Sequence, residues 1–322
     1  MNTVDQDILI HCRDWLNTAR ADMQPWLCTI VATTGSSPRP VGSMAAITQS
    51  GQQIGTVSGG CIEEDLVERI SLSEYASTQP TLVEYGVTAE ENERLGLPCG
   101  GRITLLLQKL KSSDCDWIVQ ILEALGKRQC IERKLDLATG ITSLTPTDAF
   151  TTLTLNEKHL AHGFGPQMRM LLVGAGQLSQ SLAELAQAMD YEVIVTDTRQ
   201  HFLDQWEGPD VERVQGMPDD VVRARAADQH SVIITLTHDP RIDDMALMEA
   251  LEGDAWYVGA LGSQRTTQKR LERMRMLGIT ESNIAKLHAP VGLDIGSKTP
   301  LEIAISIMAQ LTQLRSKNRQ RD

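Results

Sequence analysis

The stretch Met170-Leu-Leu-Val-Gly174-Ala-Gly176-Gln177-Leu-Ser179-Gln-Ser-Leu-Ala decides the fold of this chain. A short apolar run, Met170 to Val173, meets glycines at 174 and 176. Leu178, Leu182, Leu185 and Met189 then recur at three- and four-residue intervals, which marks one face of a helix. A second apolar run, Val193 to Val195, ends at Asp197. Strand, glycine turn, helix, strand and terminal acid are the dinucleotide fingerprint in its required context. Gly174 permits the tight turn. Gly176, followed by Gln177, lets a phosphate approach the N–H groups of a helix start. Asp197 stands where a ribose hydroxyl would be read. Ser179 replaces the usual final small glycine or alanine and is small enough for close helix–strand packing.

Working outward, further strands are expected at Val211–Val214, Val232–Leu236 and Trp256–Val258, separated by helical patterns, as a parallel, helix-covered sheet requires. Their carboxyl ends carry Thr237-His238-Asp239 and Gly259-Ala-Leu-Gly262-Ser263, where ligands bind in such folds. His238 faces a ligand in one reading, and in the other Asp239 simply caps the next helix. Residues 263–275 carry five basic residues (Arg265, Lys269, Arg270, Arg273, Arg275) against one acid, which suits phosphate or an acidic partner unless it is a solvated helix face. Gly292-Leu-Asp294-Ile-Gly296 precedes a capping box of Thr299 and Glu302 with Pro300 at the first helical position. This loop is expected to line the cleft, with Asp294 as a polar contact.

The first half reads differently. A helix is expected over 5–20, with Ile8, Leu9, Cys12 and Leu16 on one side. A strand is expected from Leu27 to Thr34, and a hairpin from Met44–Thr48 and Ile54–Val57. Between them lies Gly35-Ser-Ser-Pro-Arg39-Pro-Val-Gly42, a hydroxyl-rich loop with one guanidinium. Ser58-Gly59-Gly60-Cys61 then leads into a helix that opens with Glu63, Glu64 and Asp65. The helix dipole there favours a thiolate at Cys61, and the adjacent carboxylates oppose it. Cys99-Gly100-Gly101 mirrors this element ahead of the strand Ile103–Leu107. Two cysteines, each beside a glycine pair at the margin of a strand, favour ligand contact over burial of two small thiols.

A helix over Ile118–Leu125, a hairpin of Cys130–Leu137 with Ile141–Leu144, and a strand within Ala149–Leu155 are expected next. Gly163-Phe-Gly165-Pro166 reads as the boundary, with His162 a linker residue. The division is therefore 1–110, a β-rich extension and linker over 111–165, and a Rossmann-like domain over 166–322. The fold class is α/β: an N-terminal mixed α/β domain followed by a C-terminal parallel-sheet domain.

Composition sets outer bounds. The 322 residues are 41% hydrophobic and 22% charged, with 30 basic against 42 acidic side chains and a net charge of −12. That balance disfavours nucleic-acid binding. No apolar run reaches the ~20 residues of a membrane span, and no signal peptide is evident, so a cytoplasmic location is expected. The six cysteines, at 12, 28, 61, 99, 115 and 130, include no C-x-x-C pair.

Taken together, Gly35–Gly42, Gly55-Thr-Val-Ser-Gly-Gly-Cys61-Ile-Glu63, Cys99-Gly-Gly101, Gly174-Ala-Gly176, Asp197-Thr-Arg199, Thr237-His-Asp239, Gly259–Ser263 and Gly292 through Glu302 resemble the XdhC/CoxI family of accessory proteins for molybdenum hydroxylases. Gln177 and Ser179 depart from that family's common His and Ala. The resemblance implies a carrier, not an enzyme. Such a carrier binds molybdenum cofactor, protects it, supports its sulfuration and passes it to a xanthine-dehydrogenase-like hydroxylase apoenzyme. It also implies a homodimer and a cysteine desulfurase partner. On this reading Cys61 or Cys99 meets the molybdenum or its sulfur ligands. The phosphate of molybdopterin, or of its cytosine dinucleotide form, rests at Gly174–Gly176, with Asp197 suited to a ribose. Two alternatives are an NAD-dependent oxidoreductase using the same glycine turn with His238 near the nicotinamide, and a scaffold that joins desulfurase to hydroxylase through the basic helix.

Overall fold

Thr3 and Gln6 exchange hydrogen bonds (Gln6 N to Thr3 Oγ1 3.2 Å, Thr3 N to Gln6 Oε1 3.0 Å), a capping box that starts helix α1, Val4–Asn17. This is a computed structural model, and it describes residues 3–18, 20–35, 39–75, 77–88 and 101–319. The chain divides into two compact units, Met1–Pro166 and Gln167–Asp322.

In the first unit, strands β1 (Pro25–Thr34), β2 (Met44–Thr48) and β3 (Gln53–Gly55) are followed by helix α2 (Cys61–Ser71). Strands β4 (Thr81–Tyr85) and β5 (Arg102–Lys109) complete an antiparallel sheet of order β3-β2-β1-β5-β4. Helices cover both faces. Trp26, Cys28 and Ile30 of β1 pack with Ile62, Leu66 and Ile70 of α2. Leu27 meets Ile8, Leu9 and Cys12 of α1 and Ile118 and Ile121 of α3, Cys115–Gly126. A strand covered on both sides is buried along its length, which is why Trp26 to Val31 shows no in–out alternation, Thr29 included.

Strands β6 (Cys130–Asp136), β7 (Thr142–Thr147), β8 (Thr154–Leu155) and β9 (His159–Phe164) form a second antiparallel sheet, β7-β6-β9-β8. Two expectations are corrected here. The strand sought within 149–155 is only Thr154–Leu155, and the linker assigned to His162 is a strand of this sheet. His162 is buried opposite Arg133 in the ladder. Burial pushes its imidazole down to about 3, so it is neutral. The boundary read at Gly163-Phe-Gly165-Pro166 stands, since the first unit ends at Pro166, but Gly163 itself lies inside β9. A Cβ there would lie against the Thr151 carbonyl oxygen, so the residue is small because the loop before β8 passes over it.

The second unit contains β10 (Arg169–Val173), α4 (Gln177–Ala188), β11 (Glu192–Asp197), α5 (Gln200–Asp204), β12 (Glu212–Gln215) and α6 (Pro218–Arg225). It continues with β13 (Ser231–Thr235), α7 (Pro240–Glu252), β14 (Tyr257–Ala260), α8 (Gln264–Met276), α9 (Glu281–Ile284), β15 (Leu287–His288) and α10 (Pro300–Arg319). All pairings are parallel, in the order β12-β11-β10-β13-β14-β15. Met170, Leu172, Val193, Val195, Val232 and Ile234 face α4 and α10, whereas Leu171, Val173, Ile194 and Ile233 face α6 and α7. Strand order reverses on either side of β10, so the crevice beyond the carboxyl ends of β10 and β13 is the place where this architecture takes ligands. Thr299 and Glu302 start α10 as the sequence predicts, with the Thr299 N–H donating to Glu302 Oε2 at 2.9 Å.

Candidate functional site

The turn before α2 is built around a buried acid. Glu63, 1% exposed, accepts on Oε1 from Thr56 Oγ1 (2.5 Å), Val57 N (2.6 Å) and Ser58 N (2.9 Å). On Oε2 it accepts from the Ser58 hydroxyl and from Gly60 N at 3.0 Å. Burial works to raise its pKa, but the hydrogen bonds from Ser58 and Thr56 outweigh it and hold the carboxyl at about 2. The N–H groups that a glycine turn at a helix start ordinarily offers to an anion are thus largely taken by the protein's own carboxylate. Ile62 N and Gly60 N also donate to Ser58 Oγ, and Gly59 N to Thr56 Oγ1.

What this turn presents outward is a thiol. Cys61 is exposed at the first helical position, whereas Cys12, Cys28 and Cys130 are buried. The alternative of a small packed cysteine therefore does not hold for Cys61. No atom lies within 4 Å of where a Cβ would project from Gly59 or Gly60, so the surface beside the thiol is open. A soft sulfur on a rigid, uncluttered turn is chemically fitted to a soft metal or its sulfur ligands. Arg39 is exposed on the same unit. Cys99 and Gly100 lie outside the described residues. Among the described residues, no group of three His, Cys, Asp or Glu side chains is arranged to hold a metal ion.

In the sequence Glu63 reads only as part of an acidic first turn; its place as the buried acceptor of the turn emerges with the fold. The signal was available: a Glu three residues after Gly60 is the acceptor position of a capping box.

In the second unit the glycine turn forms as expected. Gly174 has φ +110°, and a Cβ on it would lie 2.9 Å from the Thr237 side chain. Gly176 and Gln177 are exposed, with open space above Gly176. Ser179 is buried beneath the turn and donates its hydroxyl to the Gly174 carbonyl at 2.5 Å, so the departure from alanine is internally satisfied.

Asp197 differs from its expected role. It is 4% exposed, and each oxygen already accepts twice. Oδ1 takes Arg199 N (3.0 Å) and Nε (2.9 Å), and Oδ2 takes Arg199 Nη2 (3.0 Å) and Ala175 N (3.1 Å). Burial opposes ionisation here, but the Arg199 hydrogen bonds prevail and lower its pKa. The carboxylate braces the turn from beneath and places a guanidinium where a ribose acceptor was expected.

The neighbouring loops follow β13, β14 and β15. His238 is exposed, and Asp239 caps α7 by accepting from Arg241 N at 2.9 Å, as the simpler reading required. Gly262 is half-buried, Ser263 caps α8 by accepting from Thr266 N at 3.2 Å, and Asp294 is exposed. The basic helix is corrected. Arg270 is 5% exposed and pairs with buried Asp243 at 2.9 Å, Arg273 pairs with Asp244, and Arg275 with Glu281. Arg265 and Lys269 are exposed. The periodicity of charge on α8 reflects internal pairing. Arg270 Nη1 also donates to the Leu261 carbonyl at 3.1 Å, while Asp243 accepts from the Thr237 hydroxyl at 2.7 Å, so one ion pair ties together the loops after β13 and β14.

Residues 18–86 match the model of the XdhC and CoxI family, and residues 170–311 match that of the XdhC Rossmann domain. A protein of Escherichia coli K12 named molybdenum cofactor insertion chaperone PaoD is 28% identical over 289 residues, covering 90% of this chain and 83% of that protein. A Bacillus subtilis 168 protein, named as a probable component of xanthine dehydrogenase, is 26% identical over 315 residues, covering 90% of this chain and 93% of that protein. A crystal structure described as a xanthine dehydrogenase from Bacillus halodurans aligns with a TM-score of 0.77 at 25% identity, covering 98% of this chain and 96% of that one. With both family models matched in order along the chain, and the parallel sheet and thiol-bearing turn formed where their motifs stand, the chain belongs to the XdhC and CoxI family.

Proposed function

We propose that this protein is a molybdenum cofactor chaperone. It holds the cofactor as cargo, supports its sulfuration and delivers it to a xanthine-dehydrogenase-like hydroxylase, without turnover of its own. The observation that carries the reading is the exposed Cys61 on a turn held open by buried Glu63, with glycine on its approach side. Likeness to the PaoD chaperone supports the choice of cargo. Cys61 or Cys99 would meet the molybdenum or its sulfur ligands. On the second unit, the Gly174–Gly176 turn, with Gln177, Gly262, Ser263, His238 and Asp294 around it, would take a phosphate. A cytoplasmic homodimer that meets a cysteine desulfurase and the hydroxylase completes the proposal.

The oxidoreductase alternative draws less support, because the acid meant for the NAD ribose is already committed to Arg199 and Ala175. The scaffold alternative loses most of its basic face to internal ion pairs. The test is retention. Purified protein loaded with molybdopterin is gel-filtered, and the released organic ligand is quantified by mass spectrometry. Wild type is expected to retain it, with Cys61→Ala and Cys99→Ala each reducing retention several-fold. Equal retention in both variants would remove the thiol assignment, and no retention by wild type would remove the carrier reading.

A further inference from the structure

Arg199 is the feature of the second unit that the carrier reading leaves unused. Two constraints hold its guanidinium still. Asp197 grips Nε and Nη2 as a fork, at 2.9 and 3.0 Å, and the Phe202 ring lies beneath it with 3.9 Å between the guanidinium carbon and the ring centroid. Among the described residues its side-chain hydrogen bonds run to Asp197 alone, so Nη1 is left over, and the side chain remains 51% exposed. Through Asp197 the same guanidinium is tied to Ala175 N, the middle of the glycine turn.

The charges around it nearly cancel. Asp197 neutralises Arg199, and Asp239, which also acts on Arg199, is itself paired with Arg241 at 2.8 Å. A site with no net charge gives a doubly charged phosphate monoester little attraction. What it offers is a flat, weakly hydrated cation with one face on a ring and the other toward solvent, which is a stacking surface for a planar heterocycle.

We propose that Arg199, laid on Phe202 and pinned by Asp197, is a stacking shelf for a flat heterocycle whose phosphate sits at the Gly174–Gly176 turn. This deepens the carrier reading and rests on it for the nature of the cargo. The heterocycle could be a nucleobase or a pterin, and the experiment separates the two. It also inverts the usual logic of the position, since the acid at the end of β11 orients an arginine instead of reading a ribose.

The full chain is titrated by calorimetry with CMP, AMP, neopterin monophosphate and ribose 5-phosphate, the last carrying a phosphate but no flat ring. Wild type is expected to bind at least one ring-bearing phosphate roughly tenfold tighter than ribose 5-phosphate. Arg199→Lys keeps a cation against Asp197 but loses the plane, and Phe202→Leu keeps apolar packing but loses the ring. Each is expected to shrink the preference to about twofold while ribose 5-phosphate binding is unchanged. Nucleotide preference over the pterin identifies the base, and the reverse identifies the pterin. Equal affinity for ribose 5-phosphate and every ring-bearing probe, no binding of any ring-bearing probe, or a preference that survives both substitutions overturns the shelf. Molybdopterin retention by wild type alongside a failed shelf leaves the carrier reading standing. A working shelf without retention does the opposite.

Discussion

Glu63→Gln tests the idea that one buried carboxylate holds the Cys61 turn in shape. The side chain is 1% exposed, and its carboxyl sits at about 2 against an ordinary 4.5. At ~1.4 kcal/mol per pH unit, that difference corresponds to roughly 3 kcal/mol of stabilisation at neutral pH. A count of bonds agrees. If the amide nitrogen replaces Oε2, Gly60 N loses an acceptor, the Ser58 hydroxyl must reorient, and the three bonds to Oε1 lose the help of a full charge. With the stranded Gly60 donor costing about 1–3 kcal/mol and the weakened charge-assisted bonds together about 1 kcal/mol, the loss is again ~2–4 kcal/mol.

The pH dependence has a definite sign. A carboxylate whose folded pKa is depressed contributes its full stability above the unfolded value and loses it as pH falls toward the folded one. The deficit of the variant relative to wild type should therefore be constant from pH 5 to 7, shrink below about 4.5, and be roughly halved near pH 3. Comparing the two proteins by urea unfolding at each pH cancels the other titrating groups. Amide exchange adds a local readout: protection at Val57, Ser58 and Gly60 should drop in the variant at neutral pH. A variant as stable as wild type to within ~0.5 kcal/mol, with those amides still protected, would refute the reasoning.

Three further substitutions probe the second unit. Arg270→Ala strands Asp243, which burial already pushes up to about 6 despite its hydrogen bonds from Thr237 and the Arg270 charge. The expected cost is about 3–5 kcal/mol by thermal or chemical unfolding, smaller at acid pH because a protonated Asp243 needs no counter-charge. Lys269→Ala, on the exposed side of the same helix, should stay within about 0.5 kcal/mol. Gly292→Ala sets a Cβ 2.3 Å from the Ser306 hydroxyl at a backbone φ of +94°. It should cost more than ~1 kcal/mol, and adding Ser306→Gly should recover only part of that, since the positive φ remains; full recovery would assign the whole effect to the clash.

The amino-acid sequence by itself determined the parallel-sheet unit and most of the turns at the carboxyl ends of its strands. Its signals are local: Met170–Val173 is an apolar run, Gly174 must turn tightly, and Thr299 and Glu302 cap the helix between them. It also placed Cys61 at a helix start, because glycine and acid spacing reports a helix terminus directly. Tertiary structure alone decided which polar groups remain available to a ligand. Asp197 reads as a ribose acceptor until Arg199 and Ala175 are found on it, and the cationic row of α8 reads as a docking face until Asp243 and Asp244 are found opposite. The strand at His159–Phe164 was hidden for the same reason. Gly163 is dictated by Thr151 crossing it, and His162 is buried opposite Arg133. Periodicity records what a segment does along its own axis. The partner of a charge, or the backbone pressed against a glycine, comes from elsewhere in the chain and exists only once the fold has brought the two together.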